Sequence, residues 1–146
     1  MGQMTKQVFF NAPLEKVWGI WADVQTTPSW VDGVKESLLT SASHEGVGLA
    51  WKEKCLFGSQ LIEAEHRVSE WQRSQKVTVN TQLPFGATLN RTIDFKANSD
   101  GQSEIQIQFD WQLGMVAMMI PDETFHQMLS ASFDKTAENW KTRAEN

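Results

Sequence analysis

Residues 51–68 read WKEKCLFGSQLIEAEHRV, and the alternation of this stretch decides how the middle of the chain folds. Gly58-Ser59 is a sound two-residue loop for a type II′ turn, in which glycine supplies the positive φ of the first central position. Closing the turn there sets Lys54 opposite Glu63 and Lys52 opposite Glu65. These are opposite-charge cross-strand pairs on one face, each contributing about 0.2–1 kcal/mol. The other face then carries Leu49 against Val68, Trp51 against His66, Glu53 against Ala64 and Cys55 against Ile62. A slip of one residue would turn every side chain over and spoil both faces, so the parity is determined. It leaves a carboxylate, Glu53, and an imidazole, His66, on the apolar side.

The period of two extends from Val34 to Leu113, interrupted at regular intervals by turn chemistry: HEGVG, FGSQ, QRSQ, LPFG and NSDGQ. Strands are expected over about 34–41, 48–57, 60–72, 75–83, 87–97 and 103–113. In the last hairpin, pairing Phe95 with Ile105 and Ile93 with Ile107 puts Lys96 against Glu104 outside. Arg91 then falls inside beside Phe109, next to Leu89 and Trp111, while Val77, Val79, Thr81 and Leu83 supply the apolar side of the strand between. Glu53, His66 and Arg91 thus share one face of the sheet.

Elsewhere the period is helical. After a first strand at 4–10, NAPLEKVWGIWAD begins a helix with Pro13 at its first position, Glu15 in its first turn and Leu14, Val17, Trp18 and Trp21 on one face. TTPSWVDG reads as a second short helix, with Thr27 as cap, Pro28 at the first position and Gly33 as the stop. The chain closes with a long helix from about Asp122 to Arg143, whose stripe is Phe125, Met128, Leu129, Phe133, Ala137 and Trp140. Before it, GMVAMMIPDE brings Met115, Met118 and Met119 together, with residues 114–121 forming either a pliable lid over the mouth of a cavity or a hydrophobic lead-in to the helix.

At 146 residues the chain fits one domain, residues 1–146, able to bury about 68–70 % of the surface of its unfolded form. Its single cysteine, Cys55, cannot form an internal bridge and reads as a small buried hydrophobe. The opening MGQMTKQVFF lacks a basic segment followed by an apolar one, and no apolar run is long enough to span a bilayer, so a cytoplasmic location is the expectation. A net charge of −5 with scattered basic residues argues against nucleic acid. Seven Trp, eight Phe and six Met exceed the usual needs of a small core, which points either to a cavity lined by large rings or to a Trp-rich core without one.

One strand, two small helices, six strands and a long last helix form the order in which the chain resembles the SRPBCC superfamily: START lipid-binding domains, birch-pollen-allergen-like proteins and the polyketide cyclase/dehydrase group. NAPLEKVWGIWADVQTTPSWVDGV looks like the opening of that last group, with Pro13, Val17, Trp18, Trp30 and Val34 in its usual positions. Gly48 and Trp51, Thr92 and Phe95, and the last helix also fit, over roughly residues 5–144. The resemblance implies an α+β helix-grip fold: a curved seven-stranded antiparallel sheet around the C-terminal helix, with two short helices between the first two strands. It also implies a cavity for an apolar ligand; the expectation of no metal or other cofactor comes from the residues themselves.

The inward polar residues admit more than one role. Glu53 and His66 are candidates for an acid/base dyad in which the carboxylate stabilises the charged imidazole. They serve equally as hydrogen-bonding partners of a ligand, or as a buried pair satisfying itself. Arg91 needs a partner for a charge it always carries: a carboxylate, enolate or phenolate of a ligand, or an acidic residue of the last helix such as Asp134 or Glu138. The candidate ligand-binding set is Trp51, Glu53, His66, Arg91, Phe109, Trp111, Phe125 and Leu129. His44 and His126 lie at no metal-ligand spacing, and neither a phosphate loop nor a nucleophile motif is present. Three functions follow: binding or transport of a small hydrophobic molecule, lipid-like or polyketide-like and an anionic one included; a polyketide cyclase or dehydratase using His66 and Glu53; and a protein-interaction module of the chaperone-activator kind.

Overall fold

The computed structural model describes residues 2–146. Seven strands form one antiparallel sheet in the order β1-β7-β6-β5-β4-β3-β2, with β1 Gly2–Phe10, β2 Val34–Leu39, β3 Ala50–Phe57, β4 Gln60–Gln72, β5 Lys76–Gln82, β6 Thr88–Ala97 and β7 Ser103–Gln112. Helix α1 spans Leu14–Ala22, a 3-10 segment follows at Val24–Ser29, and the long helix α2 runs from Asp122 to Glu145. Strands β2 to β7 follow one another through turns and short loops, and only β1 comes from the far end of the chain to pair with β7. The sheet curves around α2, which is the helix-grip arrangement.

The β3–β4 register has Trp51 opposite His66, Lys52 opposite Glu65, Glu53 opposite Ala64 and Cys55 opposite Ile62, with Gly58 at φ 61° in the turn. In the β6–β7 pair Arg91 lies opposite Phe109, Ile93 opposite Ile107 and Phe95 opposite Ile105. On the outer face Lys52 lies 3.3 Å from Glu65, but Lys54 meets Glu36 of β2 at 3.3 Å rather than Glu63. A central strand offers its outward side chains two neighbours, and an exposed lysine with its long stem reaches either.

Helix starts differ from expectation by one residue or more. Pro13 is the N-cap of α1 rather than its first residue. Thr27 does not cap a new helix: the 3-10 turn begins at Val24, directly after α1, and carries both Thr27 and Pro28 inside it. Its hydroxyl is thereby freed for a partner on the sheet. Residues 114–118 form another 3-10 turn, with Met115, Met118 and Met119 exposed.

The core joins the concave side of the sheet to α1 and α2. Trp18 packs edge-on against Phe95 and Trp71 at centroid distances of 4.9 and 5.0 Å. Trp140 lies 5.3 Å from Phe10 and 5.1 Å from Trp30, and its indole N–H donates to the carbonyl of Val17 at 3.2 Å. This ring joins α2 to α1, to β1 and to the loop before β2. On α2 the buried positions are Phe125, Phe133, Thr136, Ala137, Trp140 and Ala144, while Met128 and Leu129, in the same expected stripe, are half-buried. Thr136 and Ser132 hold the loop before β2, through the backbone N–H and the carboxylate of Asp32.

Trp140→Ala is expected to lower unfolding free energy by roughly 3–5 kcal/mol, the usual cost of deleting a buried tryptophan. Urea denaturation followed by circular dichroism measures it. A loss below about 1 kcal/mol would show that this ring does not join the layers.

Candidate functional site

Parity delivers Glu53 and His66 to the concave face, where both are buried, each only 7 % exposed. A buried carboxylate needs its water replaced by donors. One oxygen of Glu53, Oε2, accepts from the Thr27 hydroxyl at 2.6 Å and from the Trp51 indole N–H at 3.1 Å; the other, Oε1, lies 2.7 Å from His66 Nε2. Three donors from three segments thus hold one carboxylate. Burial by itself would raise the acid, but the bonds from His66 and Thr27 and the charge of Arg91 outweigh it and hold Glu53 below its ordinary value.

The protonation of His66 follows from its other nitrogen. Nδ1 lies 2.6 Å from the Thr81 hydroxyl and 3.2 Å from Nη2 of Arg91. A guanidinium only donates, so Nδ1 must accept and carries no proton. The ring is therefore neutral, with its hydrogen on Nε2 and donated to Glu53. Burial first, and then the Arg91 charge, push the imidazole below its ordinary 6.5 despite the bond to Glu53, which acts the other way. The expectation of a charged His66 stabilised by Glu53 is corrected on this ground: Arg91 occupies the nitrogen that a second proton would need. Trp51 stacks on the imidazole at 4.9 Å and covers one of its faces.

Arg91 spans the width of β5 to reach His66. Its Nε–H is buried without a hydrogen-bond partner among the described residues. Asp134, one of the acidic partners expected for it on α2, instead accepts from Lys6 at 2.9 Å. Glu53, His66 and Arg91 form a line of carboxylate, neutral imidazole and guanidinium, whose two charges balance. Cys55, next along β3 on the same side, is half-buried, and burial together with the Glu53 charge pushes its thiol up to about 11.

Between this line and α2 lies a cavity of about 130 Å³. Trp51, Glu53, Arg91, Phe109 and Leu129 border it, as does Thr27, with Trp21, Trp30 and Trp140 among the apolar walls. His66, Trp111 and Phe125 lie outside the lining. His66 stands behind Trp51 and Glu53; Trp111 turns to the start of α2, where its N–H donates to Asp122 at 3.0 Å and its ring meets Phe125 at 5.3 Å. No methionine of 114–121 borders the cavity either. Four of the seven tryptophans do, so the aromatic excess serves a cavity and a core together. Sequence reasoning misses Thr27 as a site residue because TTP at a helix start reads as a cap. Among the described residues no three of His, Cys, Asp and Glu gather into a group able to hold a metal ion. Among them, too, no helix is long and apolar enough to cross a membrane.

Comparison with known proteins places this geometry. A sequence model of the family described as polyketide cyclase / dehydrase and lipid transport matches residues 1–145. A START superfamily protein from Mycobacterium smegmatis superposes with a TM-score of 0.82 at 12% identity, covering 98% of this chain and 97% of its own. The Zhui aromatase/cyclase from Streptomyces sp. R1128 gives 0.74 at 14% identity, covering 98% and 90%. Ginseng major latex-like protein 151 from Panax ginseng gives 0.71 at 8% identity, covering 94% and 95%. At such identities the likeness is one of fold. No curated protein matches the sequence.

Acidification is expected to destabilise the protein. The native imidazole titrates below 6.5, so beneath that pH the unfolded chain binds a proton that the native chain, with Glu53, Arg91, Thr81 and Trp51 around the ring, refuses. Glu53 adds a loss of the same sign below 4.5. Urea midpoints should fall between about pH 7.5 and about pH 5.5, and His66→Gln, which cannot titrate, should flatten that slope. An equal slope in the variant would assign the effect to other groups.

Proposed function

Since the chain belongs to the polyketide cyclase/dehydrase and lipid transport family, we propose that it binds a small hydrophobic molecule in the cavity between the sheet and α2. The observation that carries this reading is the cavity wall itself: aromatic and aliphatic over most of its area, with one buried guanidinium whose Nε–H has no partner among the described residues. A dry core of this size closes such space with side chains, and an unmatched buried donor costs about 1–3 kcal/mol. A ligand that fills the space and accepts from Arg91 removes both costs. Binding sites of this kind pair a mostly apolar surface with a few placed polar groups.

A proton-transfer reading draws on one observation. Glu53, not His66, is the titratable acid of the dyad that borders the cavity. In a cyclase-like reaction the carboxylate would therefore meet the substrate, and His66 would act as the residue that positions it. The lowered pKa of Glu53 makes it a weak base, which favours binding over chemistry.

Trp21, Trp30, Trp51 and Trp140 border the cavity and report on its contents. Titration with apolar compounds ranging from toluene to palmitate should give a saturable change in tryptophan fluorescence for at least one of them. Leu129→Phe, which adds bulk to the wall, should weaken that binding about tenfold or more, a loss of about 1.4 kcal/mol, while leaving the circular dichroism spectrum intact. Unchanged affinity in the variant would place the ligand elsewhere on the molecule.

A further inference from the structure

Resting on this binding reading, we propose that the ligand is a neutral single-ring molecule bearing a carbonyl oxygen, which accepts a hydrogen bond from Arg91. Size comes first. The cavity measures about 130 Å³. Drug-sized ligands occupy pockets of about 300–1,000 Å³, whereas an engineered cavity of about 150 Å³ takes up benzene. One ring with a short substituent fills this space. A fused-ring polyketide or a long acyl chain exceeds it.

Polarity comes next. Oε2 of Glu53 already receives two hydrogen bonds and Oε1 receives the one from His66. The Thr27 hydroxyl is spent on Glu53, and the other hydroxyls of the wall, Ser132 and Thr136, donate to or accept from Asp32. Among the described residues the one buried side-chain polar atom with no partner is a donor, the Nε–H of Arg91. The complementary ligand group is an acceptor.

Charge then separates a carbonyl from a carboxylate. Arg91 and Glu53 stand at the two ends of the same imidazole, so the positive charge on the wall already has its counter-charge. A bound carboxylate would leave the site with a net negative charge in a low-dielectric space. His66 cannot relieve it, because protonating Nδ1 would break the bond from Arg91. The expectation of an anionic ligand, drawn from Arg91 alone, gives way once Glu53 and His66 stand in line with it. A ketone, aldehyde, ester or amide oxygen meets the donor without adding charge.

Acetophenone, isopropylbenzene and benzoate share one heavy-atom skeleton and differ only in the acceptor and the charge; palmitate tests size. Isothermal titration at about pH 7.5 should show acetophenone binding at least about tenfold tighter than isopropylbenzene, since a hydrogen bond from a charged donor is worth about 1.5–3 kcal/mol and about 1.4 kcal/mol is tenfold. Benzoate should bind more weakly than acetophenone, and palmitate not at all. Arg91→Met should level acetophenone with isopropylbenzene; Arg91→Lys, which keeps the charge and lacks the Nε–H, should do nearly the same and serves if the methionine variant does not fold. Benzoate binding more tightly than acetophenone would overturn the neutral-ligand inference. Palmitate binding where the single-ring compounds do not would overturn the size inference and leave the hydrophobic-cavity reading standing. Binding of none of the four would overturn both.

Discussion

Glu53 gives up its hydration to sit on the concave face of the sheet, and Thr27, Trp51 and His66 replace the lost water with three hydrogen bonds. Each donor comes from a different segment: the 3-10 turn after α1, β3 itself and β4. The carboxylate therefore ties the helical connection after α1 to β3 and β4 of the sheet. Because His66 spends its only hydrogen on Glu53, its other nitrogen is left to accept, and Arg91 and Thr81 are drawn to it. The charge of Arg91 is in turn tolerable inside because Glu53 stands one ring away. Removing any member leaves a buried charge or donor unmatched, which is why such networks act as units.

The same network shapes the space beside it. Side chains that point inward from β3, β6 and β7 would close against α2 if all were bulky and apolar, as they do around Trp18 and Phe95. Near Glu53 and Arg91 they do not, since polar groups held by fixed partners cannot move to fill a gap. Trp21, Trp30 and Trp140 line that gap as rigid walls, and the cavity stays small. The fold is shared with an aromatase/cyclase and a major latex-like protein, and a shared fold does not by itself fix what such a space holds.

Much of this arrangement is legible in the order of residues alone. The alternation of Lys52, Lys54, Glu63 and Glu65 against Trp51, Glu53 and His66 has only one register that keeps both faces consistent, and the observed pairing follows it. The placement of Arg91 opposite Phe109 follows in the same way from Phe95 and Ile105. Helix starts are harder to read, because Pro13 and Pro28 suit both the position before a helix and the first turn inside it. Thr27 shows the consequence: a threonine before a proline looks like a cap, and only the approach of β3 shows what its hydroxyl meets. Trp111 and Phe125 fall outside the expected wall for a related reason. Parity tells which face a side chain is on, not which part of a long curved face it covers.

Local turn chemistry and a period of two act between near neighbours, so the succession of strands, the register of the hairpins and the identity of the inward residues are all written in the chain itself. What those residues do to one another is a tertiary matter. Whether His66 is charged depends on Arg91, 25 positions away and two strands across the sheet. Whether Glu53 meets solvent, protein or a ligand depends on how the sheet bends over α2. Both are set by distances between segments far apart in the chain, and a hydrogen bond, unlike a hydrophobic pattern, exists only when that distance is right.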